Sequence, residues 1–189
     1  MAMSLLAGCD KPNYPIGPRN WKTADWDGES ARFLLDGRPA SVVRSWDFAQ
    51  SGQAQGFVPS NAAMTAQGGQ GLVIVNGADP GLRSPSGLGI KGGDAAILLV
   101  RLTRRTPTKI WDGAVFYTTP RHGESEAFVN RLAAAPEAGV PVVLAYPMTY
   151  TRSGRSDWGR GKIEQIRLDL EADGGETVVH QIALVREPG

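Results

Sequence analysis

Flat aromatic side chains and planar polar groups are the residues of this chain best suited to chemistry, and the chemistry they suit is sugar binding. Aromatic faces stack on the C–H surfaces of a sugar ring, while guanidinium, carboxylate and amide groups hydrogen-bond its hydroxyls. The sequence predicts six ligand-binding residues: Trp111, Tyr117, Arg121, Tyr146, Tyr150 and Trp158. Further polar partners are expected at Arg44, Arg101, Arg152 and Asp157.

The strand predicted at residues 113–119 decides how one of these rings is displayed. Side chains alternate along a strand, so Val115 and Tyr117 share one face and Phe116 takes the other. Alternation alone does not determine which face is the core. We expect Phe116 to point inward and Tyr117 outward, while a core role stays the competing interpretation for each aromatic residue.

The sequence does not predict an enzyme. The segment Gly123–Ala127 is only faintly similar to a G-x-S-x-G nucleophile elbow and lacks its strand-to-helix context. The adjacent His122 would still need an orienting acid and an oxyanion hole. With one Cys and two His in the chain, a transition-metal site has little support. A structural calcium held by Asp or backbone oxygens at a strand edge stays open.

Composition and charge exclude several classes of protein. The chain has 20 Lys and Arg against 19 Asp and Glu, which argues against electrostatic binding of nucleic acid. Its 24 Gly and 13 Pro have no collagen period, and this pattern favours many short strands joined by tight turns. The sequence contains no apolar run of about 18 residues, so we predict no transmembrane helix.

The single cysteine stands in a motif. Leu6-Ala7-Gly8-Cys9 is similar to the lipobox of bacterial lipoproteins, in which the cysteine is lipidated. A polar, Pro-rich segment that suits a tether follows it. We therefore expect residues 1–20 to be a truncated lipoprotein signal and tether, and residues 21–189 to be the folded domain. The resemblance implies a cell-envelope or extracellular location, with membrane contact only through a lipid on Cys9.

Short apolar segments bounded by turn residues recur along the rest of the chain, and no reliable amphipathic helix separates them. Asp36-Gly37 predicts a hairpin, and Asp173-Gly174-Gly175 predicts a second turn. Turns are also predicted between Asn76 and Gly81. The strongest strand predictions are residues 71–76, 95–103, 113–119, 140–148, 162–170 and 177–185. This pattern predicts an all-β fold, a single antiparallel β-sandwich or jelly roll with an extended N-terminal tail.

Several short motifs, in order, resemble the galactose-binding-like jelly roll of carbohydrate-binding modules. The resemblance covers about residues 45–185, and the last strand has His180 where such modules often carry Asp. The motifs lie at residues 45–48, 82–85, 100–102, 111–120, 157–158, 166–169 and 180–182.

Two functions from different classes follow. The first is a non-catalytic module that captures polysaccharide or a cell-surface glycan by aromatic stacking. The second is a structural subunit of an extracellular or phage-like assembly, whose outer surface contacts protein. Clustered Trp and Tyr with polar partners favour the sugar, whereas a broad apolar patch favours a protein partner.

Overall fold

The computed structural model describes residues 21–108, 110–149 and 156–188. Within these ranges more than half of the residues lie in strands, and loops connect them with two short helices, α1 (Phe48–Ser51) and α2 (Asp157–Arg160), and a 3-10 turn at Gly92–Asp94. The strands are β1 Ala24–Asp27, β2 Arg32–Leu35, β3 Arg38–Pro39, β4 Val42–Asp47, β5 Val58–Gln67, β6 Gly71–Arg83, β7 Ile90–Lys91, β8 Ile97–Thr106, β9 Trp111–Thr118, β10 Val129–Arg131, β11 Val142–Pro147, β12 Lys162–Ile163, β13 Gln165–Glu171 and β14 Glu176–Val185.

The strands pair antiparallel in two layers. The main hydrogen-bonded order is β10-β9-β13-β6-β14-β8-β11, with β4 beside β14 and β5 beside β6. Side chains of β8 and β14 share one core cluster with side chains of β9 and β13, so these parts of the sheet face each other. The fold is an antiparallel β-sandwich, as the sequence predicts.

Strand β6 belongs to both layers. Its first half pairs with β14, where Leu72 stands opposite Val179, and its end pairs with β13, where Leu82 stands opposite Leu168. The turns predicted between Asn76 and Gly81 are therefore wrong, since β6 continues through them. The glycines there serve close approach instead: a Cβ on Gly77 would lie 2.5 Å from the Asn61 carbonyl oxygen.

The three-stranded sheet β1-β2-β3 covers one end of the outer face formed by β8, β11 and β14. The predicted Asp36-Gly37 turn joins β2 to β3, and both residues have positive φ, 50° and 73°. Phe33 and Leu35 of this hairpin share a second core cluster with Leu99 of β8. The hairpin does not extend over the other end of that outer face.

A short helix, α1, follows β4 directly. The carboxylate of Asp47 accepts a hydrogen bond from the Gln50 backbone N–H at 2.9 Å and so caps the helix. Gly52 ends it in a left-handed conformation with φ 62°. This turn places the Asp47 carboxylate at the end of β4, beside β14.

Candidate functional site

Most of the predicted sugar-stacking rings lie in the core. The side chains of Tyr117, Tyr146 and Trp158 are 0% exposed and that of Trp111 is 8% exposed. The prediction that Tyr117 points outward is wrong. Val115 and Tyr117 face the main core, and Phe116 lies on the opposite face beneath Arg131 and Arg167. Alternation correctly placed Val115 and Tyr117 on the same side of β9. Which side faces the core depends on where the other layer of the sandwich packs.

Polar contacts of the buried tryptophans explain why they lie inside. The Trp158 indole N–H donates to the carbonyl oxygens of Gly92 and Ala95, at 3.0 and 2.8 Å. The Trp111 indole donates to the Leu132 carbonyl at 2.9 Å. A buried Trp ring whose indole N–H has a hydrogen-bond acceptor fills the core without leaving an unpaired polar group there. Neither ring offers a face to a ligand.

Tyr146 is enclosed in a different way. Its hydroxyl is buried and has no hydrogen-bond partner among the described residues. Burial raises the pKa of this phenol, and the charge of Asp112 acts in the same direction. The neutral phenol is therefore the form present at physiological pH, in a position no sugar reaches without rearrangement.

Among the predicted ligand-binding residues that the structure describes, Arg121 is the well-exposed one, with 68% of its side chain accessible and Nη2 3.9 Å from Asp157 Oδ1. The Asp157 carboxylate also accepts a hydrogen bond from the Tyr117 hydroxyl at 3.1 Å. It lies 2.8 Å from His122 Nε2. Through these contacts Asp157, the first residue of α2, links α2 to the C-terminal end of β9. Cys9, Tyr150 and Arg152 lie outside the described residues.

The His122 ring has no catalytic geometry in the described chain. Its Nδ1 lies 2.9 Å from the Gly123 carbonyl oxygen and its Nε2 beside Asp157, while its face stacks on Phe128 with centroids 3.5 Å apart. Ser125 Oγ instead accepts from the Ala127 backbone N–H at 3.3 Å. Both ring nitrogens are therefore engaged away from Ser125.

A row of planar polar groups lies on the outer face of β4, β14 and β8, next to the covering hairpin. Arg101 donates through Nη1 to Gln181 Oε1 at 3.0 Å, and Gln181 Nε2 donates to Asp47 Oδ1 at 3.0 Å. The Arg101 guanidinium lies over the ring of Trp26, 5.1 Å from its centroid. We call the surface formed by Trp26, Asp47, Arg101, Thr103, His180 and Gln181 the β8 face.

Strand pairing produces this row. Gln181 stands opposite Arg101 on one side and opposite Asp47 on the other, so three neighbouring strands each contribute one polar group. Trp26 is half-buried in β1 and packs edge-to-face on Phe33, with centroids 5.0 Å apart. Among the Trp, Tyr and Phe side chains of the described residues, Trp26 and Phe128 are the ones partly exposed to solvent.

His180 extends the β8 face along the sheet. It occupies the bulge of β14 between Val179 and Gln181, and its Nε2 lies 2.9 Å from Thr103 Oγ1. Its Nδ1 lies beside the Gln70 carbonyl oxygen. Burial lowers the pKa of His180, and the positive charges of Arg101 and Arg105 lower it further, while the Gln70 carbonyl opposes them. The ring is therefore neutral at pH 7.

On the outer face of the opposite layer, the charged side chains form ion pairs with one another. Glu124 accepts hydrogen bonds from Arg83, at 2.7 and 2.8 Å, and from Arg167 at 3.1 Å. Arg167 also pairs with Asp169, with Nε 2.6 Å from Oδ1. Burial raises the pKa of Asp169 to about 6, although Arg167 opposes this. The charged groups on this face therefore bind one another.

Sequence reasoning did not name Trp26, Gln181 and Asp47 as candidates, although it named Arg101 as a polar partner. Trp26 lies between two aspartates just ahead of the predicted hairpin, and an aromatic residue flanked by charges at a strand was a usable signal. No comparable signal marked Gln181, because its role depends on pairing with a residue 80 positions away.

Comparison with known proteins finds no matching family model and no matching curated protein. Among solved structures, the chain is similar to the second N-terminal cellulose-binding domain of β-1,4-glucanase C from Cellulomonas fimi. The identity is 16% and the TM-score 0.49, covering 79% of this chain and 96% of that one. It is also similar to a family 29 carbohydrate-binding module from Piromyces equi, at 12% identity and TM-score 0.47, covering 74% and 89%. At this level of likeness, function must rest on this chain's own side chains.

The described residues lack two further features. No helix in this part of the chain is long and apolar enough to cross a membrane. No group of three or more His, Cys, Asp or Glu side chains there is placed to hold a metal ion.

Proposed function

We propose that the protein is a non-catalytic carbohydrate-binding module that holds a polysaccharide along the β8 face. The observation that carries the proposal is the hydrogen-bonded row Arg101–Gln181–Asp47 beside the Trp26 ring. A sugar presents hydroxyls that both donate and accept, so it needs alternating donors and acceptors next to an apolar surface. Arg101 supplies donors and Asp47 supplies acceptors, while Gln181, which is 6% exposed and bonded to both, holds the two in place.

The row has unused hydrogen-bonding capacity. A guanidinium carries five N–H donors, and Arg101 makes one hydrogen bond, to Gln181, within the described residues. Burial lowers the pKa of Arg101, with Asp47 opposing, yet arginine keeps its charge under all ordinary conditions. The strands hold the row in place, so little conformational entropy is lost when a ligand binds.

Affinity measurements on the full-length chain test this proposal. A glycan array and an insoluble-polysaccharide pulldown identify the ligand, and titration calorimetry then compares Trp26→Ala, Arg101→Ala and the control Arg32→Ala. Arg32 is an exposed arginine of the hairpin, outside the β8 face. We expect a loss of roughly tenfold for each face variant, equal to one charged hydrogen bond or one stacking contact, and no change for the control.

Trp26→Phe separates binding from folding. It retains an aromatic face against Phe33, so it should keep most of the affinity while Trp26→Ala loses it. Wild-type affinity in both Trp26→Ala and Arg101→Ala would overturn the β8 face as the binding site.

We also propose that the protein is exported and lipid-anchored through Cys9. This rests on the Leu6-Ala7-Gly8-Cys9 motif. Cys9→Ser should abolish membrane association of the full-length chain. Recovery of that variant in the membrane fraction would contradict the anchor without affecting the glycan proposal.

The alternative is a structural subunit of an extracellular or phage-like assembly. It would require a broad apolar contact surface. The large exposed apolar side chains of the described chain are spread over five segments: Val42, Val58, Val75, Ile110 and Val140. Single exposed apolar side chains are ordinary on a protein surface, so these residues alone do not favour the alternative.

A further inference from the structure

A shallow cavity away from the β8 face carries an excess of positive charge. It has a volume of about 440 Å³ and lies where β7, β12, α2 and the 3-10 turn meet. Three cationic side chains line it, Lys91, Arg160 and Lys162, together with Asp94 and several glycines including Gly159. We call it the lysine pocket.

The two lysines form an unfavourable pair. Lys91 on β7 stands directly opposite Lys162 on β12 in an antiparallel pair of strands. Like charges directly opposite each other destabilise a sheet. Lys162 also lies 3.3 Å from Glu164, but within the described chain neither Lys91 nor Arg160 has an ion-pair partner. An anion between the lysines would relieve this repulsion.

The acidic residue of the pocket is already engaged. Asp94 Oδ1 lies 3.4 Å from Arg186 Nη1, and Arg186 is not part of the lining. The lining therefore keeps a positive excess that its own carboxylate does not cancel.

Glycine keeps the pocket open. A Cβ on Gly93 would lie 2.9 Å from the Gly159 carbonyl oxygen, so close backbone packing requires glycine there. At Gly159 no heavy atom lies within 4 Å of the Cβ position. Backbone packing thus does not demand glycine at 159, and the absent side chain leaves free volume beside the three cations.

We infer that the lysine pocket binds an anionic group of a saccharide, a uronate carboxylate or a sulfate ester, and that the bound polysaccharide is acidic. This rests on the proposed carbohydrate-binding function and names its substrate class. Arg160 suits a planar, two-oxygen anion because its guanidinium donates two parallel hydrogen bonds. Lys91 and Lys162 add point charges on either side.

Calorimetric titration of the full-length chain tests the inference with polygalacturonate and with its fully methyl-esterified form, which removes the charge but keeps the backbone. Dextran sulfate and dextran form the second pair and distinguish sulfate from carboxylate. We expect the charged member of one pair to bind at least tenfold more tightly, and this preference to fall as NaCl is raised. The double variant Lys91→Gln/Lys162→Gln should lose the preference, and Lys22→Gln, an exposed lysine elsewhere, should keep it.

Two readouts separate binding from structure. Removing one of two repelling lysines should leave the melting temperature of Lys91→Gln equal to or above that of the wild type, whereas a structural lysine would lower it. Gly159→Leu fills the pocket without reversing a charge and should weaken the acidic glycan at unchanged melting temperature.

The outcomes are distinguishable from failure of the proposed function. Binding of neutral glycans with no preference for the charged forms overturns the pocket and leaves the β8 face standing. A charge preference that survives the double lysine variant also overturns the pocket. Failure of every glycan to bind overturns both.

Discussion

Arg104 on β8 and Glu171 on β13 form a buried ion pair that joins the two layers of the sandwich. Their side chains are 6% and 0% exposed, and Arg104 Nη2 donates to Glu171 Oε2 at 2.9 Å in a two-fold contact. Arg104 also donates to the Pro136 carbonyl at 3.0 Å and lies over the Trp111 ring. Thr108 Oγ1 donates to Glu171 at 2.9 Å. Each charge thus has several partners, as burial requires.

Breaking this pair should destabilise the fold strongly. Arg104→Met leaves the Glu171 carboxylate buried without its cation, and we expect the free energy of unfolding to fall by about 3–5 kcal/mol. Urea denaturation measures it. Arg105→Met is the matched control, because Arg105 pairs with Glu176 at 3.0 Å on the exposed surface. The free energy of unfolding of Arg105→Met should fall by less than about 1 kcal/mol. Equal effects at the two positions would contradict the bridging role.

Tyr117→Ala should damage folding and not a glycan contact. The ring is 0% exposed and packs edge-to-face on Trp158, with centroids 4.9 Å apart. Truncating a buried aromatic side chain costs about 3–5 kcal/mol. Tyr117→Phe, which loses the hydrogen bond to Asp157, should cost about 0.5–1.5 kcal/mol. A Tyr117→Ala protein with wild-type stability and reduced glycan affinity would show that the ring is a ligand contact after all.

Strand positions followed well from the sequence, because alternation and turn residues are local signals. The Asp36-Gly37 hairpin and the β8, β9 and β14 strands lie where they were predicted. Which side of each strand faces the core could not be predicted in this way. Tyr117 points inward because that side of β9 packs against β8 and β14. The continuous β6 was missed for a related reason: the glycines at 77 and 81 look like turn signals but allow close contact with distant strands.

The candidate site was largely beyond local reasoning. Arg101, Gln181 and Asp47 come from three separate parts of the chain, and only the strand order β4-β14-β8 brings them together. Lys91 and Lys162 likewise become neighbours through the pairing of β7 with β12. Residue type identified Arg101 as a polar candidate, but its partners required the topology.

The stability contribution of Asp169 should depend on pH. Burial raises its pKa to about 6 in the folded protein, above the ordinary value of 3.8 for an aspartate. A raised folded pKa stabilises the fold at low pH, and this contribution is lost as pH rises through about 6. Relative to Asp169→Asn, which does not titrate, the wild type should lose stability between about pH 4 and 6, the interval between the unfolded and folded pKa values. Parallel melting-temperature profiles of the two proteins would contradict the shift.

Gly113→Ala should destabilise β9. Gly113 has φ 59°, and a Cβ there would lie 2.3 Å from Trp111 Nε1 and 2.6 Å from the Leu132 carbonyl oxygen. The substitution combines left-handed strain with disruption of the Trp111–Leu132 hydrogen bond, so we expect a loss of about 2–3 kcal/mol. Thermal and urea denaturation measure it. Gly123→Ala is the control, because nothing lies within 4 Å of its Cβ position. Similar losses in both variants would refute the steric argument.

Sharing β6 between the layers has a mechanical consequence. In a sandwich of two separate sheets, only side-chain contacts and connecting loops resist a force that pulls the sheets apart. Here the backbone of β6 is hydrogen-bonded to β14 at one end and to β13 at the other, so the same force also loads ladders of backbone hydrogen bonds. A domain built this way should hold its shape under tension, such as a binding module bears when its ligand is part of a solid polymer.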